Sequence, residues 1–272
     1  MKFPFAREKM LEEAKVANKP IASLSLDLDN LWTYLKVHGD AHWEDYPSYL
    51  PMFVPIILDF FERWNQKITF FVVGQDALQP QNHQPLVMLA KAGHEIANHS
   101  MGHEPWMQNY DESRVDEEIG RAEEAIASVT GVKLIGFRGP GYSRSQTMLR
   151  VLAARGYEYD TSMLPSILGP LARIYYFWGT RVARESREDR SDLFGHMSDG
   201  FLPLKAFLWK TDKGSLVELP VTTVPVFRVP FHLSYLLWLS RYSKAFALAY
   251  FRMALILCRL RGVQPCYLLH PL

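Results

Sequence analysis

The chain has 272 residues, 48% of them hydrophobic and 22% charged, with a formal net charge of +1. These figures are ordinary for a globular protein with a sizeable core, and the near-neutral balance gives no case for nucleic-acid binding. Cys258 and Cys266 are the only cysteines, and their spacing excludes a Cys-x-x-Cys metal site and a disulfide framework. No run reaches the roughly 18 uninterrupted apolar residues of a membrane span, and Met1 to Lys9 lacks the apolar core of a signal peptide, so a cytoplasmic protein is expected.

Apolar runs alternate with amphipathic stretches along the chain. Ile21 to Leu26 reads as a buried strand, Pro55 to Trp64 as a helix, and Ile68 to Val73 as a second strand. Leu86 to Ala92 is a short helix closed by Gly93, and His94 to Ala97 is a strand. Asp111 to Val129 has helical periodicity, with acidic residues near its start that suit the helix dipole. Leu134 to Phe137 is a strand, Ser143 to Ala154 a helix stopped at Gly156, and Tyr157 to Tyr159 the next strand. Between 165 and 214 the pattern breaks down, and this stretch is read as an inserted lid over a barrel mouth. Ser215 to Leu219 resumes as a strand, 233–261 reads as helical, and Cys266 to Leu269 is the last strand. Repeated strand–helix–strand units argue for parallel βαβ crossovers, and the whole of 1–272 is read as one α/β domain.

Polar residues gather at the ends of these strands. Asp27 and Asp29, His99 and His103, Arg138, Asp160 and His270 each fall at or just beyond a strand's C-terminal end. In a parallel barrel that rim is where catalysis sits. Asp27 and Asp29 are two apart on extended chain, so both side chains face the same way. Two such carboxylates repel unless a cation intervenes or one is protonated; one as ligand and one as base resolves the conflict. His99 and His103, with a carboxylate, suit a facial site for a hydrolytic metal such as zinc. His94 and Glu95 are read either as groups that orient a ligand or as structural strand-end residues.

Arg138 opens the turn Gly139-Pro140-Gly141-Tyr142. A fixed guanidinium there has Asp27 as its natural partner, and the turn's backbone N–H groups could stabilise an oxyanion. Asp160 is expected to pair with His270, raising its pKa so that it serves as an acid. Glu218 either lines the pocket or closes a strand-end ion pair.

After Glu218 the chain has no Asp or Glu, but it carries Arg228, Arg241, Lys244, Arg252, Arg259 and Arg261 among aromatic and aliphatic residues. The stretch 228–261 is read as a basic amphipathic helical segment. It is either a pair of barrel helices with basic outer faces or a peripheral contact with an anionic membrane.

The ordered motifs resemble the polysaccharide deacetylase family, also called the NodB-homology or carbohydrate esterase 4 group. The matching pieces are Ser25-Leu26-Asp27-Leu28-Asp29, His99-Ser100-Met101-Gly102-His103, Arg138-Gly139-Pro140-Gly141-Tyr142, Asp160-Thr161-Ser162 and Leu268-Leu269-His270-Pro271. The resemblance implies a distorted (β/α)7-8 barrel of the NodB-homology type and hydrolysis of an N-acetyl or N-formyl group from an amino sugar. It implies Zn2+ or a related divalent ion on Asp29, His99 and His103, with Asp27 as general base. It also implies Arg138 orienting Asp27, His270 as acid, and an oxyanion donor near Gly141. The first motif is Asp-Leu-Asp where many members have adjacent Asp residues, and Gly141 stands where many carry an aromatic. The Asp-Leu-Asp form, the expected lack of a signal peptide and the basic aromatic tail make the chain similar to the branch that deformylates undecaprenyl-linked aminoarabinose, a lipid-linked sugar. A metal-independent cyclic amide or ureide hydrolase of the same superfamily and a non-catalytic carbohydrate-binding relative are the competing classes.

Overall fold

The computed structural model describes residues 22–169, 171 and 197–271. The strands are β1 (Ser23–Asp27), β2 (Thr69–Val72), β3 (Glu95–Asn98), β4 (Gly136–Phe137), β5 (Tyr159–Asp160), β6 (Phe207–Thr211), β7 (Gly214–Glu218) and β8 (Cys266–Leu269). They form one sheet in the order β6-β7-β5-β4-β3-β2-β1-β8, parallel throughout except for the β6–β7 hairpin. The sheet curls toward closure. Beyond β7, Thr222 N–H donates to Cys266 O at 3.0 Å, and Cys266 N–H donates to Thr222 Oγ1 at 2.8 Å. The β7 side is thereby tied to β8 at the opposite end of the sheet, as the distorted barrel requires.

Helices connect the strands. Among the described residues they are α1 (Leu31–His38), α2 (Leu50–Arg63), α3 (Gly74–Ala77), α4 (Pro80–Lys91), α5 (Glu112–Thr130), α6 (Gln146–Arg155), α7 (Leu233–Ser240) and α8 (Lys244–Arg261). In α5 the Asp111 side chain accepts from Arg114 N–H and caps the start, while Val115, Ile119, Ala122 and Ile126 form the buried stripe. That stripe packs with Phe70, Val72, Ile96 and Phe137 of the sheet and with Leu86 and Leu89 of α4 in the main core. Each of the larger side chains here, such as Ile119, Phe70 and Leu86, contributes roughly 1.5–3 kcal/mol of burial. A smaller cluster of Val224, Phe231, Ala254, Cys258 and Val263 lies under α8.

Strand register sets the level of the rim. Val72, Asn98, Phe137, Asp160 and Glu218 pair in succession, and Asp27 pairs with Phe71, one residue below Val72. His99 and Arg138 follow that line by one residue, and His270 directly follows β8.

Several boundaries differ from expectation. Helix α2 starts at Leu50 and α4 at Pro80, upstream of the expected starts at Pro55 and Leu86, because Pro51 and Pro80 sit in first turns where a missing N–H costs nothing. Helix α1 was not foreseen; the Asn30 side chain caps it and Gly39 ends it with φ +74°. The helical stretch 233–261 is two helices, because Ser243 caps a new start at Lys244. The expected lid 165–214 needs correction at its end. Phe207–Thr211 is an edge strand paired with β7 rather than lid. Residues 170 and 172–196 of the expected lid, and Ile21 of the first strand, lie outside the described residues.

Candidate active site

Both carboxylates of the first motif reach the interior. Leu28 N–H still bonds Phe71 O at 2.9 Å, so strand geometry continues past β1 and Asp27 and Asp29 both line the cavity. The turn that follows is held by a buried polar network that the sequence reading missed. Asn30 Oδ1 accepts from Leu31 N–H and Tyr49 N–H, and Asn30 Nδ2 donates to Ser48 Oγ at 2.9 Å and to Asp76 Oδ1 at 2.7 Å. Asp76 Oδ1 also accepts from Trp32 Nε1 at 3.0 Å and Asn82 Nδ2 at 3.2 Å. The Tyr49 hydroxyl donates to the Asp29 carbonyl. Burial pushes the Asp76 carboxyl up to about 7, against the lowering effect of Asn30 and Trp32. Polar residues spaced this far apart carry no periodic signal, so only the fold shows that they meet.

The histidine loop is equally constrained. Asn98 Oδ1 accepts from Ser100 N–H at 2.8 Å, and Asn98 Nδ2 donates to Ile119 O and Tyr157 Oη. Glu118 Oε2 accepts from both Met101 N–H and Gly102 N–H at 3.1 Å. Ser100 and His103 take φ of +64° and +51°, uncommon for residues with a side chain. These bonds hold the loop in that conformation.

The result is a compact donor set. One atom each of Asp29, His99 and His103 lies within 4.8 Å of the others, and all three side chains are buried. His99 Nδ1 lies 2.6 Å from Arg138 O and donates to it, which leaves its Nε2 lone pair facing Asp29. Asp29 Oδ1 is 3.0 Å from His103 Nε2 and 3.4 Å from His99 Nε2, yet it has no hydrogen bond of acceptable geometry. Burial raises the Asp29 carboxyl's pKa, but His103 and His99 outweigh this and hold it well below the usual range. An ionised buried oxygen without a hydrogen bond, beside two imidazole nitrogens, fits a divalent ion of the zinc type.

Asp27 stands next to this set. Arg138 is fully buried and donates Nη1 to Asp27 Oδ1, Nη2 to Ser25 Oγ at 3.0 Å and Thr161 Oγ1 at 3.2 Å, and Nε to Thr161 O at 3.2 Å. Its guanidinium also lies 4.2 Å from the Phe71 ring centroid. The expected Arg138–Asp27 pair is therefore present. His270 Nε2 is 3.7 Å from Asp27 Oδ2, and its Nδ1 is 3.3 Å from Ser234 Oγ. His232, also missed from sequence, lines the cavity with its ring centroid 5.9 Å from that of His270. Burial, then His270 and Arg138, push His232 down to about 3, so it stays neutral.

Two expectations need correction. Asp160 does not pair with His270. Its Oδ1 accepts from Ser162 Oγ at 2.6 Å, and its strand neighbour is Glu218. Strand order is the reason, since β5 lies beside β7 whereas β8 pairs with β1. Among the described residues, Glu218 neither lines the cavity nor closes an ion pair. It is fully buried, accepting from Met163 N–H at 3.2 Å and Trp209 Nε1 at 2.7 Å. Burial raises both carboxyls above the usual range, and each sits against the other. This pair supports the site from behind, because Ser162 Oγ accepts from Gly139 N–H at 2.8 Å. His94 and Glu95 prove structural: His94 Nδ1 accepts from Ile68 N–H, and Glu95 accepts from Thr69 and Tyr159 hydroxyls.

The glycine turn presents fewer donors than expected. Gly139 N–H goes to Ser162, Tyr142 N–H to Gly139 O and Ser143 N–H to Pro140 O, and Pro140 has none. Gly141 carries the remaining N–H. It has φ +58°, and a Cβ there would lie 2.7 Å from Pro105 Cβ, two residues beyond His103. Glycine thus lets the histidine loop close onto this turn. Gly141 and Tyr142 both line the cavity, which holds about 700 Å³. Its remaining walls are largely apolar, with Tyr34, Val37, Leu164, Leu168, Pro230 and Tyr235 among them.

The curled sheet and its strand order match the distorted barrel of the NodB type. The family model described as polysaccharide deacetylase matches residues 41–159, the stretch that holds both site histidines. A Mycobacterium smegmatis protein provisionally named a polysaccharide deacetylase has the same fold. Its structure aligns over 93% of this chain and 81% of its own, with a TM-score of 0.59 and 22% identity. Chitin deacetylase 1 of Cryptococcus neoformans is 32% identical over 42% of this chain, and the peptidoglycan deacetylase-like protein FGM2 of Gibberella zeae is 27% identical over 61%. The chain spans 23% of the first and 48% of the second. The family match excludes Asp27, Asp29 and His270, which reach the histidine pair through the barrel.

Proposed function

We propose that the chain is a metal-dependent amidohydrolase that removes an N-acetyl or N-formyl group from an amino sugar. The observation that carries this reading is the convergence of Asp29, His99 and His103 beside the Arg138–Asp27 pair, with His270 on the other oxygen of Asp27. A divalent ion such as Zn2+ on Asp29, His99 and His103 would polarise the amide carbonyl and favour hydroxide near neutral pH.

The chain's own groups account for the protons. Asp27 accepts the proton of the attacking water, and Arg138 holds its carboxylate in place. The Gly141 N–H is the turn's donor for the acyl oxygen. His270 delivers a proton to the departing amine nitrogen as its bond to the acyl carbon breaks and the new carbon–oxygen bond forms. His232 and Tyr142 shape the wall around that nitrogen. The cavity has room for a sugar ring, and its apolar walls suit an acceptor with an apolar portion.

The test is amine release from N-acetylated and N-formylated amino sugars, free and lipid-linked, by zinc-loaded protein. Asp27→Asn should lower turnover by roughly 10²–10⁴-fold while leaving the metal bound. Full activity in that variant would contradict the assignment of the base.

A further inference from the structure

Helix α7 (LSYLLWLS) is apolar on nearly every side, yet none of its residues is buried. Such a helix belongs inside a core or against another apolar phase. Here it lies on the surface, with Leu237 and Trp238 53% and 54% exposed. Helix α8 continues the pattern. It buries Ala247, Ala254 and Cys258, the last two within the second core cluster. Phe246, Met253, Ile256 and Leu260 follow i, i+7, i+10 and i+14 spacing, which puts them within about 80° of one another on a different face. All four are exposed, Leu260 by 75%. Arg252 and Arg259 border that stripe, and Arg241 and Lys244 flank the break between the two helices.

Charge identifies the occupant. The segment from Leu219 to the end of the chain has six Lys or Arg residues and no Asp or Glu. Exposed Trp238 and Tyr242 stack edge-on beside Arg241, in the manner of residues that anchor at a lipid–water boundary. No helix among the described residues is long and apolar enough to cross a membrane. The pattern is that of helices lying in the interface of an anionic bilayer. A second exposed apolar group adjoins the cavity: Ile167 N–H bonds Arg228 O, next to exposed Val226 and Phe227.

We propose that the outer face of α7 and α8 docks on the surface of an anionic lipid bilayer. His232 and Tyr235, at the start of α7, line the cavity, so docking brings the cavity mouth beside the headgroups. The surface is independent of the proposed reaction and does not share its metal ligands.

The experiment is co-sedimentation of the full chain with two kinds of vesicle, phosphatidylcholine alone and phosphatidylcholine mixed with phosphatidylglycerol. Binding is expected to the mixed vesicles only, and to weaken at high salt as surface charge is screened. The Trp238→Glu, Leu260→Glu double variant should lose at least about tenfold in partitioning, and so should Arg252→Glu, Arg259→Glu. Brominated lipid should quench wild-type fluorescence, and Trp238→Phe should remove most of that quenching. All these positions are exposed, so circular dichroism, melting temperature and metal content should match wild type. Failure to bind mixed vesicles, or equal binding to neutral ones, would overturn the proposal. So would a concentration-dependent dimer that the same glutamates dissociate, since a second copy would then cover the face. Metal content and amine release are read in parallel, so a failed docking surface is distinguishable from a failed active site.

Discussion

Removing the Arg138 guanidinium is the sharpest perturbation of the barrel interior. Arg138→Met keeps the stem length and deletes all four of the hydrogen bonds that reach Asp27, Ser25 and Thr161. Burial by itself lowers the arginine's pKa, but Asp27 more than restores it, so the guanidinium stays charged in the folded state. Deleting one partner strands the other in a buried site, which costs about 3–5 kcal/mol. At about 2–4 °C per kcal/mol for a chain of this size, melting should fall by roughly 6–20 °C. The Asp27→Leu, Arg138→Met double variant removes both charges and should recover much of that loss. The assay is urea unfolding of chelator-treated protein in a double-mutant cycle, so that metal affinity does not enter. An Arg138→Met cost below about 1 kcal/mol, or a strictly additive cycle, would refute the reasoning.

Other predictions follow from the same contacts. Asp76 is raised in the folded state, so its neutral form favours folding: that contribution is full below the unfolded value near 3.8 and is lost as pH rises through about 7. The loss amounts to about 4 kcal/mol, and Asp76→Asn should flatten the fall in stability between pH 4 and pH 8, as followed by denaturant titration of apoprotein. A slope unchanged by the substitution would show that other groups set it. Gly141→Ala forces a side chain into a left-handed backbone conformation and against Pro105. Melting should fall by an amount equivalent to at least about 1–2 kcal/mol, and zinc titration should show weaker binding, because Pro105 is coupled to His103 through the loop. Asn30→Ala removes one of the three side-chain donors to Asp76 and leaves the Tyr49 N–H without its partner, and should cost about 1–3 kcal/mol, measured by the same unfolding assay.

What the sequence made legible was what repeats or stands in a fixed local relation. The buried stripe of α5, the apolar strands and the pair His99 and His103 are all encoded within a few residues of one another. The Asp27–Arg138 pair could be anticipated because each residue ends a strand and each has one chemically natural partner. The pairing of Asp160 could not, because His270 and Glu218 are both reasonable partners and only strand order chooses between them. The Asn30–Asp76–Asn82 network escaped notice for a related reason: isolated polar residues in helices and turns look solvated until the fold buries them. Helix α1 was hidden because eight residues are only about two turns, too short for a periodic signal, although Asn30 and Gly39 mark its ends. Tail composition was visible from the start, but which apolar residues stay uncovered emerges only once Ala247, Ala254 and Cys258 are seen to face the core.

The central claim is that Asp29, His99 and His103 hold a catalytic divalent ion. Elemental analysis of the purified protein tests it most directly, comparing wild type, Asp27→Asn and the His99→Ala, His103→Ala double variant after zinc incubation and desalting. The account predicts about one ion per chain in the first two and almost none in the third. Stoichiometric metal retained by the double variant, or none in the wild type, would contradict it.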